Sequence, residues 1–219
     1  MKIVDLHHHS MYSYDSIDAP RDVVLNAIAN HVDTIGFTDH QFSIRKMLHE
    51  YIYDISKLKR EFQGRIKILC GLEIGTRPMP DDFLASSSEM LDYCLFESLD
   101  SGRAMDFYEF LEWRRLFRCP VGLAHTDVFK MSERYGIDIL SCLRDSDIFW
   151  ELNTSGNYIY YYDFLTNPDK RERVYKSGIQ MSVGSDTHNI GTYNVSKLKR
   201  AIKLIANTKI NMMGIDADL

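Results

Sequence analysis

Cysteine and proline are both scarce in this chain, with 4 and 5 residues respectively among 219. The cysteines, Cys70, Cys94, Cys119 and Cys142, are scattered and form no C-x-x-C pair. This spacing indicates neither a disulfide framework nor a zinc ribbon. Reduced thiols in a cytosolic protein fit the pattern best.

The sequence also lacks long hydrophobic runs, and its N-terminus has charge and histidines where a signal peptide needs an apolar core. A membrane-spanning helix requires about 20 consecutive apolar residues, and no run approaches that length. We therefore expect a cytoplasmic protein without a membrane partner.

Positive charge is in slight deficit, because 26 Lys and Arg residues stand against 31 Asp and Glu residues, for a net charge of −5. No basic block stands out that could follow a phosphate backbone, so a nucleic-acid partner is not indicated. Hydrophobic residues make up 45% of the chain and aromatic residues 12%. A chain of this length and composition buries a sizeable core, and we expect one domain over residues 1–219.

Strand-like and helix-like segments alternate along the chain. Apolar, β-branched runs predict seven strands, near residues 2–7, 34–39, 66–74, 93–99, 121–126, 148–153 and 180–185. Helical periodicity and end signals predict helices that begin near Pro20, cover 45–63, 103–118 and 137–145, run from Pro168 to Gly178, and follow Asn194. This alternation implies parallel strands with right-handed crossovers, and the lack of a nucleotide-binding glycine loop favours a closed or nearly closed barrel. Residues 208–219 either add a short element or cover the barrel.

The end of the first strand is a candidate metal site. Side chains alternate faces along a strand, so His7 and His9 point one way and His8 points the other, outside the barrel. Two imidazoles at this spacing suit one divalent ion. Segments 36–40, 71–75, 124–127 and 184–188 also follow apolar runs and supply His, Asp or Glu. In such barrels, active residues gather at the C-terminal ends of the strands, where all of these residues fall.

Taken together, these segments resemble the PHP (polymerase and histidinol phosphatase) superfamily. Its D-x-H-x-H signature matches residues 5–9, and its other motifs match residues 37–40, 71–73, 124–127, 151–156 and 184–188. The matches run in family order over nearly the whole chain, and residues 124–130 and 151–156 are most similar to the histidinol-phosphatase branch. The resemblance implies an α/β fold with a single domain, a distorted (β/α)7 barrel, holding two or three divalent ions of zinc, manganese or iron.

The resemblance also implies the ligands of each ion. One ion would be held by His7, His9, Glu73 and Asp186, a second by the bridging Glu73 and by His125, and a third by Asp15, His40 and His188.

The chain departs from the family at the fourth strand, which usually ends in G-S-V-H, whereas residues 97–100 are Glu-Ser-Leu-Asp. In one interpretation, Asp100 replaces the family histidine, because a carboxylate oxygen also binds zinc, manganese or iron. In the other, the second ion position is weak or lost, and Glu97 or Asp100 is merely exposed in a loop.

The resemblance implies a metal-dependent phosphatase, a hydrolase acting on a small phosphomonoester, with histidinol phosphate as the favoured substrate. Paired ions lower the pKa of a bridging water, so we expect a hydroxide held beside Glu73 to attack phosphorus without a phosphoenzyme. Arg77, Lys130 and Arg103 are candidates to bind the phosphate. Two other functions stay open: a PHP phosphodiesterase or exonuclease acting on nucleotides or nucleic acid, and a non-catalytic metal-binding or regulatory module.

Carboxylates near the ligands are candidates to orient the ligating imidazoles. Metal-bound histidines usually donate their second ring N–H to such a partner. Asp5, Asp39 and Asp127 are in suitable places, and simple surface acidity is an equal alternative for Asp127.

Two further patterns lie in the C-terminal third. The aromatic stretch 158–162 predicts a loop that shapes either a substrate pocket or a subunit contact. The cations of the last helix, Lys197, Lys199, Arg200 and Lys203, are expected to form its solvated face.

Overall fold

Seven parallel strands follow one another around a barrel in the computed structural model, which describes residues 1–77, 82–207 and 211–212. The strands are β1 (Val4–His8), β2 (Thr34–Phe37), β3 (Lys67–Gly75), β4 (Tyr93–Glu97), β5 (Val121–Ala124), β6 (Ile148–Asn153) and β7 (Gln180–Gly184), and a short β8 (Asn211–Met212) pairs with β7. Each strand pairs in parallel with the next one in the sequence. The predicted parallel barrel of seven strands is confirmed.

Helices connect the strands and cover the outside of the barrel. They are α1 (Pro20–Ala29), α2 (Gln41–Ile44), α3 (Leu48–Glu61), α4 (Asp82–Ser87), α5 (Phe107–Arg114), α6 (Val128–Tyr135), α7 (Ile139–Asp145), α8 (Ile159–Thr166), α9 (Pro168–Ser177) and α10 (Val195–Asn207). In the described ranges, every helix is too short or too polar to cross a membrane.

The helix boundaries agree with the end signals in some places and differ in others. Helix α9 begins at Pro168, and Gly178 ends it in a left-handed conformation with φ of 70°; only glycine adopts this conformation without a Cβ penalty. The helix predicted over 45–63 corresponds to α3, and the short α2 precedes it as a separate helix that was not predicted. The prediction of a loop over 158–162 was wrong, because α8 begins at Ile159.

A separate apolar cluster fills the barrel interior beneath the site. It contains Leu6 from β1, Leu95 from β4 and Phe149 from β6, which come from strands that are not neighbours in the sheet. Tyr93 crosses this space and donates from its hydroxyl to the Leu6 carbonyl over 2.6 Å. Gly36 gives the ring its room, because a Cβ there would lie 2.0 Å from the Tyr93 oxygen.

The barrel closes between its first and seventh strands at the end where the strands finish. The Asp186 N–H donates to the His7 carbonyl over 2.8 Å, and the His9 N–H donates to the Thr187 carbonyl over 3.0 Å. Asp5 adds a second connection, because its carboxylate accepts bonds from the Ser185 N–H and hydroxyl. At its other end, β7 pairs instead with β8. Of the two alternatives for residues 208–219, this strand corresponds to the short added element; residues 208–210 and 213–219 lie outside the described residues.

Candidate metal centre

His7 of β1 and His9, which follows that strand, lie at the bottom of the site. His7 and His9 are fully buried, and their Nε2 atoms are 3.1 Å apart. Asp186 approaches both, with its Oδ1 atom 3.5 Å from each Nε2. These three residues form one group of potential ligands whose atoms all lie within 4.8 Å of one another.

A second group of potential ligands consists of Glu73 from β3, Glu97 at the end of β4 and His125 after β5. His125 Nε2 is 3.4 Å from Glu73 Oε1 and 3.2 Å from Asp186 Oδ2, so this group adjoins the first. His125 and Asp186 both adopt positive φ, 49° and 56° respectively, at the point where their strands end. Residues other than glycine rarely adopt this conformation, and it tends to occur at functional sites.

A third group is closer to the surface and contains His9, Asp15, His40 and His188. Asp15 Oδ2 lies 3.3 Å from Nε2 of both His40 and His188. His40 Nδ1 also lies 2.9 Å from Glu73 Oε2, which joins this group to the others. A fourth combination, His7, His125 and Glu151, shares members with the first two groups.

Several buried atoms in these groups lie near other potential ligands, but among the described residues none of their contacts has the geometry of a hydrogen bond. They are both carboxylate oxygens of Glu73, Oδ1 of Asp186 and Nε2 of His125. An unpaired polar atom in a protein interior is costly, and buried charges are normally paired or bound to a metal. Nitrogen and oxygen atoms that converge without hydrogen bonds can instead act as ligands of a divalent cation such as zinc, manganese or iron.

The carboxylates of the centre are held in their charged form. Burial would raise the pKa of Glu73, but the charges of His7 and His125 outweigh it and hold that pKa well below its usual range. Asp186 behaves in the same way beside these two histidines. Two anionic carboxylates in a closed space attract cations strongly.

The pKa values of His7 and His9 are shifted in opposite directions. Burial opposes protonation of His7, yet the carboxylates of Glu151, Glu73 and Asp186 outweigh it and hold the pKa of His7 well above its usual value. Burial lowers the pKa of His9 to about 4. His9 is therefore ready to bind a metal at neutral pH, whereas His7 must first lose a proton.

Glu151 at the end of β6 orients His7, a role that the sequence analysis missed. Its Oε1 lies 2.6 Å from His7 Nδ1, which leaves Nε2 directed at the site. The Asn153 side-chain amide donates to the other Glu151 oxygen over 3.2 Å. Two features of the sequence pointed to Glu151: residues 151–156 resemble a PHP motif, and a carboxylate and an amide two residues apart in a strand lie on the same face.

Asp39 supports His9 through a serine. Ser13 donates from its hydroxyl to Asp39 over 2.8 Å, and the same hydroxyl lies 3.0 Å from His9 Nδ1. Burial raises the pKa of Asp39 to about 6, although hydrogen bonds from Ser10 and Ser13 oppose the change.

The other two predicted orienting carboxylates have different partners. Asp5 binds Ser185 and so contributes to closing the barrel. Asp127 caps α6, where its side chain accepts bonds from the N–H groups of Phe129 and Lys130. Neither the surface interpretation of Asp127 nor the orienting one describes this contact, because a carboxylate just before a helix binds the free amides of the first turn.

Asp100 is not a member of any of these ligand groups. Its carboxylate lies 3.2 Å from Lys130 Nζ, so two of the predicted site residues pair with each other. The reason is the turn after β4, in which Ser98 has a φ of 54° and the chain leaves the strand direction. Glu97, the last residue of the strand, stands in the second ligand group instead, and it is half-buried and not exposed in a loop.

Two of the three predicted phosphate-binding cations line one cavity of about 420 Å³. Arg77 and Arg103 share this cavity with His40 and Glu97, which are potential ligands. Lys130 is not part of its lining.

Aromatic rings cover the centre on two sides. Tyr158, just before α8, stacks on His125 with 4.8 Å between ring centroids, and the exposed Tyr14 stacks on His40 with 5.2 Å. His8, by contrast, turns away from the potential ligands. Its Nδ1 is 2.8 Å from the His9 carbonyl, and its ring meets the edge of Tyr193. Within the aromatic stretch 158–162, Tyr158 contributes to the wall of the site through its stacking on His125.

Comparisons with known proteins agree with this architecture. A family model described as the PHP domain matches residues 5–141. The histidinol-phosphatase of Lactococcus lactis subsp. lactis (strain IL1403) is 42% identical over 83 residues, which cover 34% of this chain and only 30% of that protein. A probable histidinol-phosphatase of Deinococcus radiodurans is 22% identical over 227 residues, covering 86% of this chain and 87% of that protein.

Solved structures show the same fold. The histidinol phosphate phosphatase from Lactococcus lactis subsp. lactis Il1403, in complex with zinc, L-histidinol and phosphate, superposes with a TM-score of 0.64 at 23% identity, covering 96% of this chain and 95% of that chain. A putative histidinol phosphatase from Listeria monocytogenes superposes with a TM-score of 0.58 at 16% identity, covering 86% and 96%.

Proposed function

The chain belongs to the PHP domain family, and on that premise we propose that it is a metal-dependent phosphomonoesterase acting on a small phosphorylated metabolite. Histidinol phosphate is the favoured substrate, because two relatives carry the name histidinol-phosphatase. The observation that carries the proposal is the convergence of buried His, Asp and Glu atoms that lack hydrogen-bond partners.

The three groups of potential ligands suit two or three divalent ions of zinc, manganese or iron. One ion would be held by His7, His9, Glu73 and Asp186, a second by Glu73, Glu97 and His125, and a third by His9 or Glu73 with Asp15, His40 and His188. Bound there, such ions supply a water of lowered pKa and neutralise charge on the phosphate oxygens.

The chain's own residues would position the substrate and the attacking water. Arg77 and Arg103 face the cavity beside His40 and Glu97, where a guanidinium can bind phosphate oxygens in bidentate geometry. Glu73 has a carboxylate held anionic at the centre of the ligand groups, and it would orient the attacking water by accepting its hydrogen bond.

The three serines that directly neighbour the ligand segments, Ser10, Ser13 and Ser185, all use their hydroxyls in structural hydrogen bonds. The hydroxyls of Ser10 and Ser13 donate to Asp39, and the hydroxyl of Ser185 donates to Asp5. A nucleophilic serine needs an adjacent base that points at it and an open approach for the substrate. These three serines are buried structural donors, which supports direct attack by water without a phosphoenzyme.

Release of inorganic phosphate from L-histidinol phosphate tests the proposal, with separate preparations loaded with manganese, zinc or iron. We expect release that His7→Ala abolishes while circular dichroism shows an intact fold. A parallel assay with p-nitrophenyl phosphate and its bis ester separates a monoesterase from a phosphodiesterase. Absence of turnover on every phosphoester, with metals bound, would instead indicate a non-catalytic metal-binding module.

A further inference from the structure

A second polar cavity, of about 310 Å³, shares no lining residue with the cavity of Arg77 and Arg103. Its lining includes two potential metal ligands, Asp186 and His188, together with Asn157, Asn194 and Lys197. We propose that Lys197 is an anion-binding residue of this cavity, where its ammonium group binds an acidic oxygen of the substrate. This inference rests on the proposed phosphomonoesterase function and adds a binding residue to it.

Lys197 differs from the other cations of α10. The sequence analysis expected Lys197, Lys199, Arg200 and Lys203 to form one solvated face. Lys199, Arg200 and Lys203 are exposed, whereas Lys197 is half-buried and lines the cavity. A half-buried cation that faces a potential ligand group is not simply part of a solvated surface.

The Lys197 ammonium group is held in place by the loop after β6. Its Nζ donates to the Ser155 carbonyl over 2.7 Å. Gly156, with a φ of 90°, allows this approach, because a Cβ there would lie 2.8 Å from the same Nζ. Most of the conformational entropy of the long side chain is therefore already lost in the folded protein, before an anion binds.

The charge of Lys197 is not neutralised by the protein. Within residues 1–77, 82–207 and 211–212, no carboxylate forms an ion pair with it, and the Ser155 carbonyl is the one partner of its side chain. An ammonium group carries three donors, so two are left for a ligand in the cavity. The cavity lining is otherwise mainly hydroxyl and amide groups, and its acidic member, Asp186, belongs to the potential ligands. The unmatched charge therefore favours an anion.

The acidic oxygen could come from the phosphoryl group that is cleaved or from a second acidic group on the leaving group. Equilibrium binding of inorganic phosphate, measured by calorimetry on the metal-loaded protein, reports the first source without requiring turnover. Michaelis constants for phosphomonoesters with and without an additional carboxylate or phosphate report the second. Lys197→Gln removes the charge, Lys197→Arg retains it, and Lys199→Gln is the matched control on the same helix.

We expect Lys197→Gln to weaken one of the two interactions by about tenfold or more, since hydrogen bonds to charged groups contribute about 1.5–3 kcal/mol. Lys197→Arg should restore part of the loss, and Lys199→Gln should change neither quantity. Weaker phosphate binding assigns Lys197 to the cleaved group, and a raised Michaelis constant only for doubly acidic substrates assigns it to the leaving group.

Unchanged phosphate binding together with unchanged Michaelis constants in a folded Lys197→Gln protein would overturn the inference. If the wild-type protein hydrolyses no phosphomonoester, the proposed function fails, and the phosphate titration still decides whether Lys197 binds an anion.

Discussion

Among single residues, Glu151 is distinct because it acts on the centre through His7. Replacing it with glutamine keeps the size of the side chain but removes the charge beside His7 Nδ1. We expect Glu151→Gln to weaken binding of zinc or manganese by roughly 10–100-fold, the usual effect of losing a group that orients a ligand. Calorimetric titration of metal into the metal-free protein measures this effect. The exposed Glu133→Gln is the control, and equal affinities for the two variants would show that Glu151 does not orient His7.

Two neighbouring carboxylates on the chain should behave in opposite ways. Glu97 lies within a ligand group with Glu73 and His125, whereas Asp100 pairs with Lys130. We expect Glu97→Gln to lower the number of metal ions bound per chain and Asp100→Asn to leave it unchanged. Elemental analysis of the purified proteins gives both numbers. If only Asp100→Asn lowered the metal content, Asp100 would be a metal ligand that replaces the family histidine, as in the first interpretation of residues 97–100.

The sequence predicted that histidines and carboxylates from several strand ends lie close together, and the structure brings all the predicted ligands except Asp100 into the ligand groups. The sequence did not predict which residues each of these side chains contacts. Whether Glu97 or Asp100 reaches the centre depends on where β4 ends and on the left-handed turn at Ser98. The local sequence does not specify either feature. The roles of Glu151 and Lys197 depend on contacts with residues that are far away in the sequence.

Among the structural elements, β2 lies close to the filled barrel interior at Gly36. A methyl group there would meet the Tyr93 hydroxyl, which is held by its bond to the Leu6 carbonyl. Overpacking of a filled core costs about 1–3 kcal/mol, and we expect Gly36→Ala to lower the free energy of unfolding by that amount. Urea denaturation measures it. Gly102→Ala, where a Cβ would meet nothing within 4 Å, is the control, and equal stability of the two variants would contradict this account of the packing.

The strands were easier to predict than the helices. Strands such as β6, buried along its whole length, appear in the sequence as short apolar runs. Helix α8 has an aromatic-rich sequence whose helical propensity is modest, and its place is determined by burial of Tyr160, Tyr161 and Phe164. Tertiary packing decides such a segment, and the sequence pattern alone does not.

For the whole molecule, the charge of the centre makes metal binding dependent on pH. Burial opposes protonation of His7, but the carboxylates of Glu151, Glu73 and Asp186 outweigh it and raise the pKa of His7, so a proton competes with metal for this residue at higher pH than at an ordinary histidine. A bound ion must displace that proton, and the affinity for metal should therefore rise with pH until the pKa of His7 is passed.

Calorimetric titrations in buffers of different ionisation enthalpy measure the protons released on metal binding. We expect release at pH 7 from the wild-type protein and a smaller number from His7→Ala. Identical proton release in the two proteins would show that His7 is already neutral before metal binds.

The closure between β1 and β7 also determines when the ion-binding site can form during synthesis of the chain. Asp5 and Ser185, which connect these strands, are 180 residues apart in the sequence, and the potential ligands span nearly the same distance. A ribosome-bound chain that has not yet released β7 contains His7 and His9 but lacks Asp186 and His188. The complete set of potential ligands can therefore come together only after β7 and the residues that follow it, up to His188, have been synthesised.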